Sequence, residues 1–102
     1  MSLVKVASLP ALQEQSMQRV RVNDTDVLLL WVNGTVYAVS DTCTHARVSL
    51  ADGWLEGDIL CCPRHGGKFD LKTGKAVAFP AIRSLPKYLV HVDGEDVYVD
   101  VE

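Results

Sequence analysis

The sequence predicts an all-β protein: one domain over residues 1–102, an antiparallel sandwich or barrel base carrying a small inserted subdomain. Three observations carry that expectation. Short runs of β-branched and aromatic residues recur along the chain with turn residues between them. One of the turns is Asn33-Gly34, whose two residues both tolerate positive φ and so close a tight hairpin. Two Cys–His pairs, Cys43-Thr44-His45 and Cys62-Pro63-Arg64-His65, fall between the strand-like runs, on loops that a β framework can bring together.

Taken in order, Leu9–Gln15 suits one short helical turn. Met17–Val22 alternates, with Val20 and Val22 on one face, as in a half-buried strand. Val27–Val32 is a continuous apolar run, and Val36–Val39 follows it across Asn33-Gly34. Trp54–Cys62 reads as a strand pair or bend turned at Glu56-Gly57-Asp58. Leu89–Val92 and Val97–Val101 form a second hairpin around Asp93-Gly94-Glu95-Asp96. The insert then spans about 43–70, and the strands on either side of it close the larger unit. Trp31 and Trp54 read as core residues, and His91, on an alternating strand, as a surface residue. The chain shows no internal repeat, low-complexity tract or linker.

Composition narrows the function. A chain of 102 residues supports one modest core, burying roughly two-thirds of its unfolded surface. A net charge of −3 argues against nucleic acid, which calls for clustered Lys and Arg. No run of 18 apolar residues occurs, so no membrane span is expected, and the opening Met-Ser-Leu-Val-Lys-Val lacks an apolar signal core. The three cysteines, two of them adjacent, make no disulfide framework. With metal-ligand spacing instead, they point to a reducing compartment, the cytoplasm.

The two Cys–His pairs lie sixteen residues apart, counted between His45 and Cys62. Each pair joins one thiolate to one imidazole. That mixture suits a [2Fe–2S] cluster with unlike irons, one held by two Cys and the other by two His. Zinc is the competing metal, since two Cys and two His also make a tetrahedral zinc site; common zinc patterns, however, group Cys with Cys and His with His. Cys61 is an alternative to Cys62, but the spacing to Pro63 and His65 favours Cys62. Cys61 then reads as a small buried hydrophobe on a strand.

The pattern Cys-x-His, sixteen residues, Cys-x-x-His continues into His65-Gly66-Gly67-Lys68-Phe69-Asp70, Thr73-Gly74-Lys75, Pro80-Ala81 and Tyr88. Over nearly the whole chain it resembles the Rieske family, and more narrowly the small Rieske ferredoxins of bacterial aromatic-ring dioxygenase systems. The resemblance implies a Rieske fold and one [2Fe–2S] cluster per chain. Cys43 and Cys62 would hold the inner iron, and His45 and His65 the outer one, near the partner. It implies a one-electron carrier that is not itself an enzyme, running between a flavin-dependent reductase and a terminal Rieske oxygenase. The alternative is a resident small subunit of a nitrite-reductase-like complex.

Around the ligands, Gly66 and Gly67 permit close backbone approach and N–H donation to cluster sulfurs. Arg47, Arg64 and Lys68 flank the pairs and suggest a basic docking face on an acidic protein. The chain departs from the respiratory members of the family, which carry an extra Cys in each ligand loop. Val48 and Arg64 stand at the matching positions, so that disulfide cannot form. Gly67 and Phe69 stand where those proteins have Ser and Tyr, so two hydroxyl donors to sulfur are missing. Fewer donors stabilise the reduced state less, and the potential is expected on the low side of the class.

Overall fold

The computed structural model describes residues 3–44, 47–64, 66–78 and 83–101. The described strands are β1 (Val4–Ser8), β2 (Met17–Val22), β3 (Thr25–Val32), β4 (Thr35–Ser40), β5 (Trp54–Glu56), β6 (Ile59–Cys61), β7 (Lys68–Asp70), β8 (Ala76–Ala78), β9 (Leu89–Asp93) and β10 (Asp96–Asp100). Helix α1 (Leu9–Gln15) follows β1, and a 3₁₀ turn covers Leu50–Asp52. The strands form three antiparallel sheets, β1-β10-β9, β2-β3-β4 and β5-β6-β7-β8.

The continuous apolar run of β3 has a simple cause: the strand is buried on both faces. Val27 and Leu29 point into one core cluster with Leu12, Val22, Ala38, Val97 and Val99. Leu28, Leu30 and Val32 point into the other, with Val39, Leu50, Leu60 and Phe69. Because side chains alternate across a strand, two cores on two sides remove the usual polar alternation. β3 is thus the shared wall between the larger unit and the layer that carries the cysteines. Phe69, fully buried in that layer, contributes on the order of 1.5–3 kcal/mol by its burial.

Turn chemistry sets the registers. Val32 pairs with Thr35 across Asn33 (φ 49°) and Gly34 (φ 79°), the two positive values a type I′ turn requires. Val22 pairs with Thr25 across Asn23 (φ 48°) and Asp24 (φ 65°) in the same way, a turn without glycine. Tyr88 N–H donates to the Ala38 carbonyl at 2.8 Å and Ser40 N–H to Pro86 at 2.9 Å. These bonds dock the segment entering β9 onto β4 and tie the first two sheets together.

α1 spans the expected Leu9–Gln15, with Ser8 as N-cap accepting from Ala11 N–H at 3.3 Å. Both expected hairpins are present, and His91 is exposed, its ring tilted against Tyr98. The expectation for Trp54 is corrected: it is 47% exposed. Alternation on β5 turns Leu55 inward and sends Trp54 and Glu56 out. Trp31 packs, partly buried, against the core cluster that holds Val27 and Leu29. The small sheet runs past Asp70 to Ala78 through β8, a strand the sequence pattern did not show. Among the described residues, no helix is long and apolar enough to cross a membrane.

Candidate metal centre

Two loops leave the β framework, each with a cysteine at its neck. Cys43 N–H donates to the Val48 carbonyl at 3.1 Å, and Cys62 N–H donates to the Gly67 carbonyl at 2.8 Å. In each case the acceptor lies five residues ahead of the cysteine. His45 and His65, with Ala46, lie outside the described residues, as do Phe79–Ile82.

Both cysteines are buried, Cys43 at 3% and Cys62 at 0% exposure, and both belong to the same apolar cluster. Neither is in a disulfide. Two thiols from separate loops converging on one apolar layer fit a cluster that needs a pair of thiolates shielded from water. In the second loop, Pro63 and Arg64 are exposed. Gly66 has φ +78°, a conformation that favours glycine. A Cβ there would meet no heavy atom within 4 Å, so backbone conformation, not crowding within the chain, selects the glycine. Gly67 is buried and supplies the carbonyl that closes the loop.

Cys61 faces the other way. Leu60 and Cys62 lie in the cluster with Phe69, whereas Cys61 pairs across the sheet with Trp54 and with Lys68. Burial pushes its thiol pKa up, and the Glu56 carboxylate beside it pushes in the same direction. Cys61 is absent from the apolar cluster that holds both Cys43 and Cys62.

A third segment, beginning at Arg83, ties the first cysteine loop to the turn at Gly74. Thr44 Oγ1 donates to the Arg83 carbonyl at 3.1 Å, and Leu85 N–H donates to the Gly74 carbonyl at 2.6 Å. Gly74 has φ +79°, and a Cβ on it would sit 2.6 Å from the Leu85 oxygen. Conformation and close approach both demand glycine at this position.

The three cations expected at a docking face differ in setting. Arg47 and Arg64 are exposed. Lys68 Nζ is 3.0 Å from Glu56 Oε1, and Trp54 Nε1–H donates to Glu56 Oε2 at 3.1 Å. The Trp54 hydrogen bond, followed by Lys68, holds the Glu56 carboxyl below its usual range. Lys68 is therefore largely neutralised by its neighbour.

Sequence reasoning passed over Asp41. It is only 3% exposed, and its carboxylate accepts from Ser49 Oγ at 2.7 Å and from Ala51 N–H at 3.0 Å. Arg19 lies 3.8 Å away. The only available signal was an acidic residue at the end of a strand, two positions before a cysteine.

The profile of the Rieske [2Fe-2S] domain matches residues 2–89. The chain belongs to the Rieske [2Fe–2S] family. Within it the chain is a ferredoxin, an electron carrier with one [2Fe–2S] cluster and no catalytic role of its own. It is 39% identical, over all of its length and 95% of the relative's, to the ferredoxin component of biphenyl 2,3-dioxygenase from Rhodococcus jostii (strain RHA1). The solved ferredoxin of carbazole 1,9a-dioxygenase from Nocardioides aromaticivorans IC177 superposes with a TM-score of 0.92, at 31% identity, over 100% of both chains. A ferredoxin-like chain in a solved complex of reduced oxygenase and oxidized ferredoxin in carbazole 1,9a-dioxygenase gives a TM-score of 0.90 at 37% identity, covering 98% of this chain and 94% of that one.

Proposed function

We propose that this ferredoxin delivers single electrons to the terminal oxygenase of an aromatic-ring dioxygenase system, after receiving them from a flavin-dependent reductase in the cytoplasm. Cys43 and Cys62 hold one iron, and His45 and His65 hold the other. When bound, the cluster supplies reversible one-electron chemistry at a potential set partly by its neutral imidazole ligands. The chain's own residues place the two cysteines in the apolar cluster that also holds Leu28, Leu60, Phe69 and Leu85, and hold the two loops at matched closures. Arg47 and Arg64 put positive charge beside the loops that carry the histidines, where a partner would approach.

The observation that carries this reading is the pair of equivalent loop closures at Cys43 and Cys62 over one apolar cluster. The full-length similarity to dioxygenase ferredoxins supports the carrier over a resident subunit of a nitrite-reductase-like complex. The test is reconstituted turnover. Purified protein should pass electrons from a flavin-dependent reductase to an aromatic-ring oxygenase, with product rising in proportion to ferredoxin. A colourless protein holding stoichiometric zinc after iron-replete expression would defeat the assignment. So would a reducible cluster that no aromatic-ring oxygenase accepts while a nitrite reductase co-purifies.

A further inference from the structure

The two cysteine loops are supported differently. Beneath Cys62 lies a regular ladder, in which Cys61 pairs with Lys68 and Leu60 with Phe69. Beneath Cys43, among the described residues, Thr42 and Ser49 form an isolated bridge that belongs to no strand. Below that bridge Asp41 takes over. Its backbone carbonyl accepts from Leu50 N–H at 2.6 Å, and its own N–H donates to Asp26 at 3.0 Å. Its carboxylate accepts from Ser49 Oγ and Ala51 N–H, crossing to the residues that immediately follow the loop. One side chain thus clasps both ends of the first loop.

We propose that Asp41 is the positioning residue of the first cysteine loop, and that its buried negative charge holds down the reduction potential of the cluster. The proposal rests on Cys43 being a ligand. Asp41 is two residues from Cys43, at most about 7.6 Å of chain from Cα to Cα. At such range a carboxylate only 3% exposed opposes the added electron of the reduced state, although it lines an open cleft with Arg19 and Arg47. Arg19, with a side chain 58% exposed and 3.8 Å from the carboxylate, offsets only part of that field because solvent screens it. The hydrogen bonds do a separate job: they tie Asp41, just before the first cysteine loop, to Ser49 and Ala51, just after it, and so resist separation of its two ends.

Two substitutions in the cluster-loaded protein separate the roles. Asp41→Asn keeps an acceptor for Ala51 N–H and removes the charge. Its midpoint should rise by a three- to tenfold change in the reduction equilibrium constant, up to about 59 mV for one electron. Ser49→Ala keeps the charge and removes one arm of the clasp. It should release iron to a chelator several-fold faster, with a midpoint shift below a twofold equivalent. Asp41→Ala should show both effects; if it fails to fold, the first two variants decide. Asp100→Asn removes the other buried carboxylate among the described residues, on β10, and should change neither readout. An unmoved midpoint in Asp41→Asn overturns the charge effect, and wild-type iron release in Ser49→Ala overturns the clasp. Loss of thermal stability alone, matched by Asp100→Asn, would reduce Asp41 to a structural residue. Cys43→Ser is run in parallel: a cluster retained there defeats the ligand assignment instead.

Discussion

Cys61 and Cys62 are neighbours in sequence and occupy opposite sides of the small sheet. Cys62 lies in the apolar cluster with Leu60 and Phe69, and Cys61 pairs with Trp54 and Lys68 on the outer face. The strand period of two turns one thiol toward the paired loops and the other away.

That division makes the first prediction. Cys62→Ser, Cys43→Ser, His45→Ala and His65→Ala should each abolish the visible chromophore and the rhombic EPR signal of the reduced protein. Cys61→Ser should keep both, with about two irons and two labile sulfides per chain. Loss of the cluster in Cys61→Ser at unchanged folding would mean that the outward thiol is the ligand.

The two cysteine loops, which the fold brings to one apolar cluster, were legible because the spacing of Cys43 and Cys62 from their histidines survives in one dimension. The Asn33-Gly34 hairpin and the apolar run of β3 were legible for similar reasons: one needs two positive φ values, the other two buried faces. What escaped was shorter or depended on contacts. β7 (Lys68–Asp70) has one apolar residue and β8 (Ala76–Ala78) three residues in all, too few to show a period. The turn at Asn23-Asp24 carries no glycine to announce it. Trp54 is exposed, against the core placement expected of it, because the alternation of β5 turns Leu55 to the core. Asp41 gave no signal because its importance lies in Ser49 and Ala51, which only the folded loop brings within reach.

Gly74 offers a stability test away from the ligands. Gly74→Ala would place a side chain at φ +79° and a Cβ 2.6 Å from the Leu85 oxygen. The positive φ alone costs on the order of 1–3 kcal/mol, and the clash adds to it. Chemical denaturation should show a lower midpoint concentration with an unchanged slope. Wild-type stability would mean that residues 83–86 shift freely and do not tie the first cysteine loop to the turn at Gly74.

The potential gives a further prediction. Gly67 and Phe69 bring no side-chain hydroxyl to the site, and Phe69 is fully buried. The wild-type midpoint should therefore fall in the lower half of the class range, near its roughly −150 mV end. Gly67→Ser and Phe69→Tyr should raise it. A new tyrosine hydroxyl that fails to reach sulfur would instead remain an unsatisfied buried group, at a cost of about 1–3 kcal/mol. Voltammetry and denaturation on the same sample tell the two outcomes apart. A wild-type midpoint above zero would show that other donors dominate.

Docking should depend on the three cations. Arg47 and Arg64 are exposed residues of the histidine-bearing loops, and Lys68 lies 3.0 Å from Glu56. Charges at an interface mainly set encounter rate and specificity, and salt screens them over about 8–10 Å. Arg47→Glu or Arg64→Glu should slow electron transfer to at least one partner at low salt, with a smaller effect at high salt. The same changes should lower the midpoint slightly, because a nearby cation favours the more negative reduced state. Lys68→Ala uncovers Glu56 and should slow transfer in the same direction but less, since it changes the net charge by one unit where each arginine reversal changes it by two. Glu56→Gln, by contrast, uncovers the Lys68 charge and should speed association with an acidic partner surface. Stopped-flow transfer rates across a salt series, with the visible spectrum checked in each variant, measure all four. Rates unmoved by either arginine change would place the docking face elsewhere on the molecule.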